Sequence, residues 1–548
     1  MSLEGSFPNG EDRLAGRLNR IYTRTTLAYL FVVAVLWALG VEAIYGSPTP
    51  FYALLYPAFN SLFVPCVVLL LCCAVFASVR RFFPGTAPVR LRFHVCWIVL
   101  ALLTALTIAA GMLQGSLSSF LSGQWLMLRW HLLALAVFVV FFSALFTATH
   151  RVSWFDAEPS RRFVGWFLVG SVAFAFLFPG AVAMLRDGAH GIAQAYQRHG
   201  YEYISDIGVT RSIRTLFHDY ARLQPYLSMH AKVHPPGPIA LLWLMSYAVG
   251  QDPLPLSVAT MFIGALGIVP LYLWAADLTS RRVALTCCVL YCLMPSIVLF
   301  TATSADILFM PFVLITLFLF WRALHRRSIS YALAAGVCYG LMSLLSFSLL
   351  SLGAYFAFVG LWRFMDPKWR RAVIQTAALM ILAFVLFHLA VRWWSGFDML
   401  ACFHASKAQF ETDQANLDLL TPRYPSWFWK FANPACWFFF AGVPVSVLFI
   451  WRIATVSGFG SRVSGFGGDS PALFAICTLT FLVLSFMYLG RGEGERSAMY
   501  VLPFLVLPAA HLLDQMGRTT RSFAPLAATA AFLGLQCWAI ESVLYTFW

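Results

Sequence analysis

Apolar runs of about twenty residues, the length that crosses a bilayer as a helix, recur from residue 26 to residue 546 with short polar segments between them. A backbone immersed in hydrocarbon must satisfy its own hydrogen bonds. The expected fold is therefore all-α, a polytopic transmembrane helical bundle. Composition agrees, with 60% hydrophobic and only 11% charged residues. Spans are predicted near 26–45, 54–78, 93–113, 125–148 and 163–185, then near 255–277, 283–301, 306–324, 331–346, 348–362, 372–391, 432–452, 472–489, 497–514 and 523–546. The first 24 residues are polar and basic and lead into the first run without a small-residue cleavage pattern, which reads as an uncleaved span.

The formal charge of +14 does not point to nucleic acid, because of where it lies. Arg13, Arg17, Arg20 and Arg24, Arg80 and Arg81, Arg161 and Arg162, Arg281 and Arg282, Arg322 to Arg327 and Arg363 to Arg371 all flank apolar runs, the signature of cytoplasmic loops. The twelve cysteines show no CxxC spacing and fall mostly inside apolar runs, as small core residues do. The segment 237–249, GPIALLWLMSYAV, follows two prolines and is too short to cross. If it does not cross, every later basic group stays on one side. The loops 186–254, 392–431 and 490–496 then meet on the extracytoplasmic face.

The first of these loops concentrates the chemistry. The run 201–238 holds carboxylates at Glu202, Asp206 and Asp219, histidines at His218, His230 and His234, and cations at Arg211, Arg214, Arg222 and Lys232. A carboxylate at a water–membrane boundary can take a proton from an acceptor hydroxyl while cations hold a phosphate leaving group. Asp206 reads either as such a base or as the cap of a helix beginning near Val209. Asp219 lies in LFHDYARL, an amphipathic pattern whose polar face is solvated in any case. His230 and His234 are four apart, a spacing that admits a divalent metal, contact with substrate or phosphate, or loop packing, although a residue before proline is biased away from helical geometry. Asp306 opens a span, either as a helix N-terminal charge or as a site residue. Arg491, Glu493, Glu495 and Arg496 form either a hydrated turn or part of the same site.

The order of a span, a polar loop with an acidic residue, His234-Pro235-Pro236-Gly237-Pro238, a short helix, and a span ending at Arg281 and Arg282 resembles the GT-C class of membrane glycosyltransferases, including protein O-mannosyltransferases and lipid A aminoarabinose transferases. The resemblance runs from about residue 163 to 400. It implies a polyprenyl-phosphate sugar donor and a catalytic carboxylate in the first extracytoplasmic loop of the module, at Asp206 with Asp187 as the alternative. It also implies a second acidic residue at Asp306. Relatives that contact the lipid phosphate through a hairpin lysine are not matched here, where the turn reads Ser343-Leu344-Leu345-Ser346-Phe347-Ser348. Lys232, Arg491 and Arg496 are the candidates in its place.

The expectation is an accessory bundle of about four spans at 1–150 and a GT-C-like module at 151–548, set in an inner membrane with its active face periplasmic. Sugar would pass from the lipid-linked donor to the hydroxyl of a glycan, lipid or protein acceptor with inversion. The alternative is a transporter or flippase for a lipid-linked or anionic precursor, which would favour ionisable groups within the helices over the loops. No metal ligand set is assigned, and no Gly-rich nucleotide motif occurs.

Overall fold

The computed structural model describes residues 126–151, 154–155, 157–198, 200–420, 426–456, 470–488, 490 and 494–544, and every regular element among them is a helix. The spans expected at 26–45, 54–78 and 93–113, most of the accessory bundle 1–150, and the connector 457–469 lie outside the described residues.

Seven helical segments among the described residues are long and apolar enough to cross a membrane: Trp130–Thr149, Arg161–Leu185, Pro253–Leu278, Ala305–Arg326, Phe347–Phe364, Pro367–Ser395 and Met499–Thr520. Their starts follow local chemistry. Ser160 accepts from the Phe163 N–H and Asp366 from the Lys368 N–H, each satisfying a donor that the first helical turn leaves open. The Met499–Thr520 segment is 83% buried and forms the middle of the bundle, whereas Pro367–Ser395 is only 22% buried and turns Ile381, Leu382 and Leu389 outward.

The continuous span expected at 283–301 is instead broken. Arg281–Leu293 and Pro295–Thr301 meet at 53°. The cause is Pro295, which offers no N–H to the preceding turn and holds Met294 in an extended conformation (φ −62°, ψ 127°).

The helix Gly237–Val249 has 13 residues, about 20 Å of rise, well short of a hydrocarbon core of about 30 Å. It ends at Gly250, whose φ of 85° suits glycine, and the Pro253–Leu278 span begins three residues later. That span finishes beside Arg322, which clasps Asp277. The short helix thus lies between the polar loop and that span. Its close seat depends on Gly237, where a Cβ would fall 2.2 Å from the Leu344 carbonyl oxygen.

The basic groups gather at one end of the bundle. Arg282 donates to the Trp154 carbonyl (2.8 Å) and to Glu158 (3.3 Å), and it faces Asp514, which also pairs with Arg518. Arg327 donates to the Lys368 carbonyl. Asp306 stands at the other end of the segment that carries Arg322. Sixteen helical residues place it about 25 Å from Arg322.

Candidate functional site

At the end opposite the basic groups, the polar loops come together through specific contacts. Gln224 donates to Ser406 Oγ (2.6 Å), joining the 200–234 loop to the helix Met399–Leu420. Lys430 Nζ donates to the carbonyls of Phe486 (2.8 Å) and Tyr488 (2.7 Å), and Asn433 donates to that of Gly490 (2.7 Å). The Ser426–Phe440 helix thereby holds the end of the Ser470–Met487 helix and Gly490.

Arg496 is the hub. It is buried, and its Nη1 donates to Glu202 Oε1 (3.3 Å) while Nη2 donates to His230 Nε2 (3.1 Å). Its Nε approaches Asp306 Oδ2 at 3.6 Å, within ion-pair range but beyond a normal hydrogen bond. His230 Nδ1 lies 3.3 Å from the same Glu202 oxygen. Polar side chains from four separate elements thus share one buried locus. Asp306 reaches it from the short 3₁₀ turn Ala305–Leu308, which Ser304 caps by accepting from the Asp306 N–H. That turn is held tightly against its neighbour, because a Cβ at Gly264 would meet Ile307 at 2.4 Å.

His234 adjoins this cluster. Tyr203, almost fully buried, packs between the rings of His230 and His234 at centroid distances of 5.9 and 5.8 Å. Tyr220 donates its hydroxyl hydrogen toward the carbonyls of Ala231 (3.0 Å) and His234 (2.9 Å) and so fixes the path of the chain into the two prolines. Burial pushes the His234 imidazole down to about 4, opposed by nearby Asp306 and reinforced by His230 and Arg496. The two histidines do not share a helical face. His230 precedes the 3₁₀ turn Ala231–Val233, and His234 after it is extended (φ −118°, ψ 159°), as its position before Pro235 favours. Among the described residues no group of three or more His, Cys, Asp or Glu side chains is arranged to hold a metal ion.

The other predicted residues fall outside the hub. Asp206 sits in the 3₁₀ helix Tyr203–Val209 and receives the Ser228 N–H at 3.1 Å on both carboxylate oxygens. It does not cap the following α-helix. Ser212 does, accepting from the Thr215 N–H. Burial pushes the Asp206 carboxyl up from its ordinary value, against the pull of Ser228 and then Lys232. Lys232 is partly buried next to this staple, with its carbonyl accepting from Gln224 (2.9 Å). Asp219 pairs with His218 (3.3 Å) and Arg222 (3.2 Å) on an outward face, and Asp187 is exposed. Arg491 and Glu493 lie outside the described residues. Glu495 belongs to the short helix Gly494–Ser497.

Sequence reasoning counted Glu202 among the carboxylates of the loop but did not place it in the site, and it missed Tyr203. The only local signal was that both are flanked by Tyr201, Ile204 and other residues of mixed polarity, which does not separate a buried side chain from an exposed one.

Residues 233–394 match the family model of dolichyl-phosphate-mannose-protein mannosyltransferase. No curated protein matches the chain. Among solved structures the chain is similar to the oligosaccharyltransferase of Archaeoglobus fulgidus, crystallised as a complex with zinc and sulfate, at 16% identity and a TM-score of 0.41 over 68% of this chain and 53% of that one. The chain thus spans about half the length of that enzyme. The family match begins beside His234, includes Asp306, and falls within the stretch whose motif order resembles GT-C enzymes. With several helices long and apolar enough to cross a membrane the chain is a multi-pass membrane protein, and its residues 233–394 are similar to the dolichyl-phosphate-mannose-protein mannosyltransferase family.

Proposed function

We propose that the protein transfers a sugar from a polyprenyl-phosphate carrier to an acceptor hydroxyl, at the periplasmic face of an inner membrane, with inversion at the anomeric carbon. The observation that carries this reading is the buried Arg496 poised between Glu202 and Asp306 at the mouth of a membrane span. A lipid phosphate travels at that depth. A guanidinium is suited to meet it with charge-assisted hydrogen bonds. The placement of the basic ends at the opposite face supports the assignment of sides.

In this mechanism Asp306 is the general base. Asp206 spends both oxygens on the Ser228 N–H, whereas Asp306, also buried, stands at 3.6 Å from Arg496, beyond a normal hydrogen bond. The acceptor oxygen attacks the anomeric carbon as its proton passes to Asp306. The bond from that carbon to the phosphate oxygen breaks, and the electron pair leaves with polyprenyl phosphate. Arg496 stabilises the charge that develops on the departing phosphate. His230 and His234 line the approach.

Comparison of two amide variants tests the assignment. Asp306→Asn is expected to lose about 10²–10⁴-fold in turnover, the range for a removed general base, with donor binding retained. Asp206→Asn keeps an oxygen for Ser228 and is expected to stay within a few-fold of the parent. The reverse ranking would transfer the base to Asp206.

A further inference from the structure

We infer that Glu202 is a positioning residue that aims Arg496 at the donor phosphate, and that it acts in part by fixing the tautomer of His230. This rests on the reading of Arg496 as the phosphate contact.

The argument begins with hydrogen inventory. A guanidinium has donors only, so His230 Nε2 at 3.1 Å from Arg496 Nη2 must be the acceptor. The ring proton of a neutral His230 is therefore on Nδ1. That nitrogen faces Glu202 Oε1 at 3.3 Å, and the same oxygen receives Arg496 Nη1 at 3.3 Å. One carboxylate oxygen thus holds both partners, and the three side chains close a ring. Glu202 is fully buried and Arg496 nearly so, so neither competes with water for the contact. With both Nη groups engaged on this side, the guanidinium presents its Nε edge to Asp306.

The ring has a mechanistic purpose that packing alone would not need. A long arginine side chain held at one end by a fixed carboxylate loses less freedom when it binds an anion. Glu202 touches neither donor nor reacting atoms. Its effect on catalysis passes through Arg496. Tyr203, the next residue, packs at a tilt against the His230 ring, with centroids 5.9 Å apart.

The test is a double-mutant cycle read by binding of a short-chain polyprenyl phosphate to the full chain in lipid nanodiscs. Arg496→Ala is expected to weaken binding about 10–100-fold, the worth of a charge-assisted hydrogen bond. Glu202→Gln, which retains shape but removes the charge, is expected to weaken it about tenfold while thermal unfolding shifts little. In the Arg496→Ala background, Glu202→Gln is expected to change nothing further. Should Glu202→Gln fail to assemble, Glu202→Asp keeps the charge but withdraws the oxygen by one methylene, and the same non-additive loss is expected. Additive losses, or unchanged binding in Glu202→Gln while Arg496→Ala is impaired, would overturn the positioning role and leave the phosphate assignment standing. Binding unaffected by Arg496→Ala would overturn both.

Discussion

Arg496 donates to Glu202 across 294 residues of sequence, and both side chains are buried. This single contact ties the turn before the central Met499–Thr520 span to the polar loop that follows the Arg161–Leu185 span. It also brings Asp306 and His230 to the same place. A buried ion pair contributes little net stability over an apolar replacement, yet breaking it leaves an uncompensated charge. Its retention in the interior at the end opposite the basic groups fits a functional demand better than a structural one.

The Asp206 staple has its own expected behaviour. Asp206→Ala would leave the buried Ser228 N–H without its acceptor, at a cost of about 1–3 kcal/mol. Thermal unfolding of the purified protein should show the loss. Asp206→Asn should recover most of it, because its amide oxygen still accepts the Ser228 N–H.

His234 predicts a pH dependence. Its folded value of about 4 lies below the ordinary 6.5, so the unfolded chain binds a proton that the folded chain refuses. The stability this burial carries is full above about 6.5 and declines as pH falls toward 4. Asp206 acts in the opposite sense, since a raised carboxyl loses stability as pH rises through its folded value. Unfolding temperatures measured from pH 7.5 to 5 are expected to fall for the parent and to fall less for His234→Gln. Equal slopes would show that His234 does not carry the effect.

Gly237 tests how the short helix is seated. Gly237→Ala would set a Cβ 2.2 Å from the Leu344 oxygen, and backbone must move to admit it. A destabilisation of about 1–3 kcal/mol is expected, the range for forced overpacking. Because His234 lies just upstream, turnover should fall as well. A variant with parental unfolding temperature and parental turnover would show that the hairpin yields at no cost.

The topology is open to labelling. Cysteines introduced at Ser212 and Gln414 should react with an impermeant reagent from the periplasmic side, and one at Ser280 only from the cytoplasm. Reaction of the Ser280 variant from outside would mean that Gly237–Val249 crosses.

Much of the architecture was legible in the sequence because it follows from length and charge. The short helix after His234-Pro235-Pro236 was legible as a 13-residue element separate from the Pro253–Leu278 span. The break at Pro295 was not, although the proline was visible. A long apolar run reads as one span unless the helix-breaking residue is weighed against it. The site was less legible. His230, Arg496 and Asp306 stood out as polar groups near membrane boundaries. Glu202 did not, because its role depends on a partner 294 residues away and no local pattern reports that distance. Asp206 was conspicuous, but a carboxylate in a polar loop looks alike in sequence whether it faces substrate or a backbone N–H, and here it accepts the Ser228 N–H.

The central claim is tested most directly by supplying polyprenyl-phosphate sugars and candidate acceptors to the purified protein in lipid and measuring released polyprenyl phosphate together with the anomeric configuration of the product. The expected result is release in step with sugar transferred, with the configuration inverted, and its loss in Asp306→Asn. Movement of an intact lipid-linked sugar across the bilayer, with no polyprenyl phosphate released, would contradict the account.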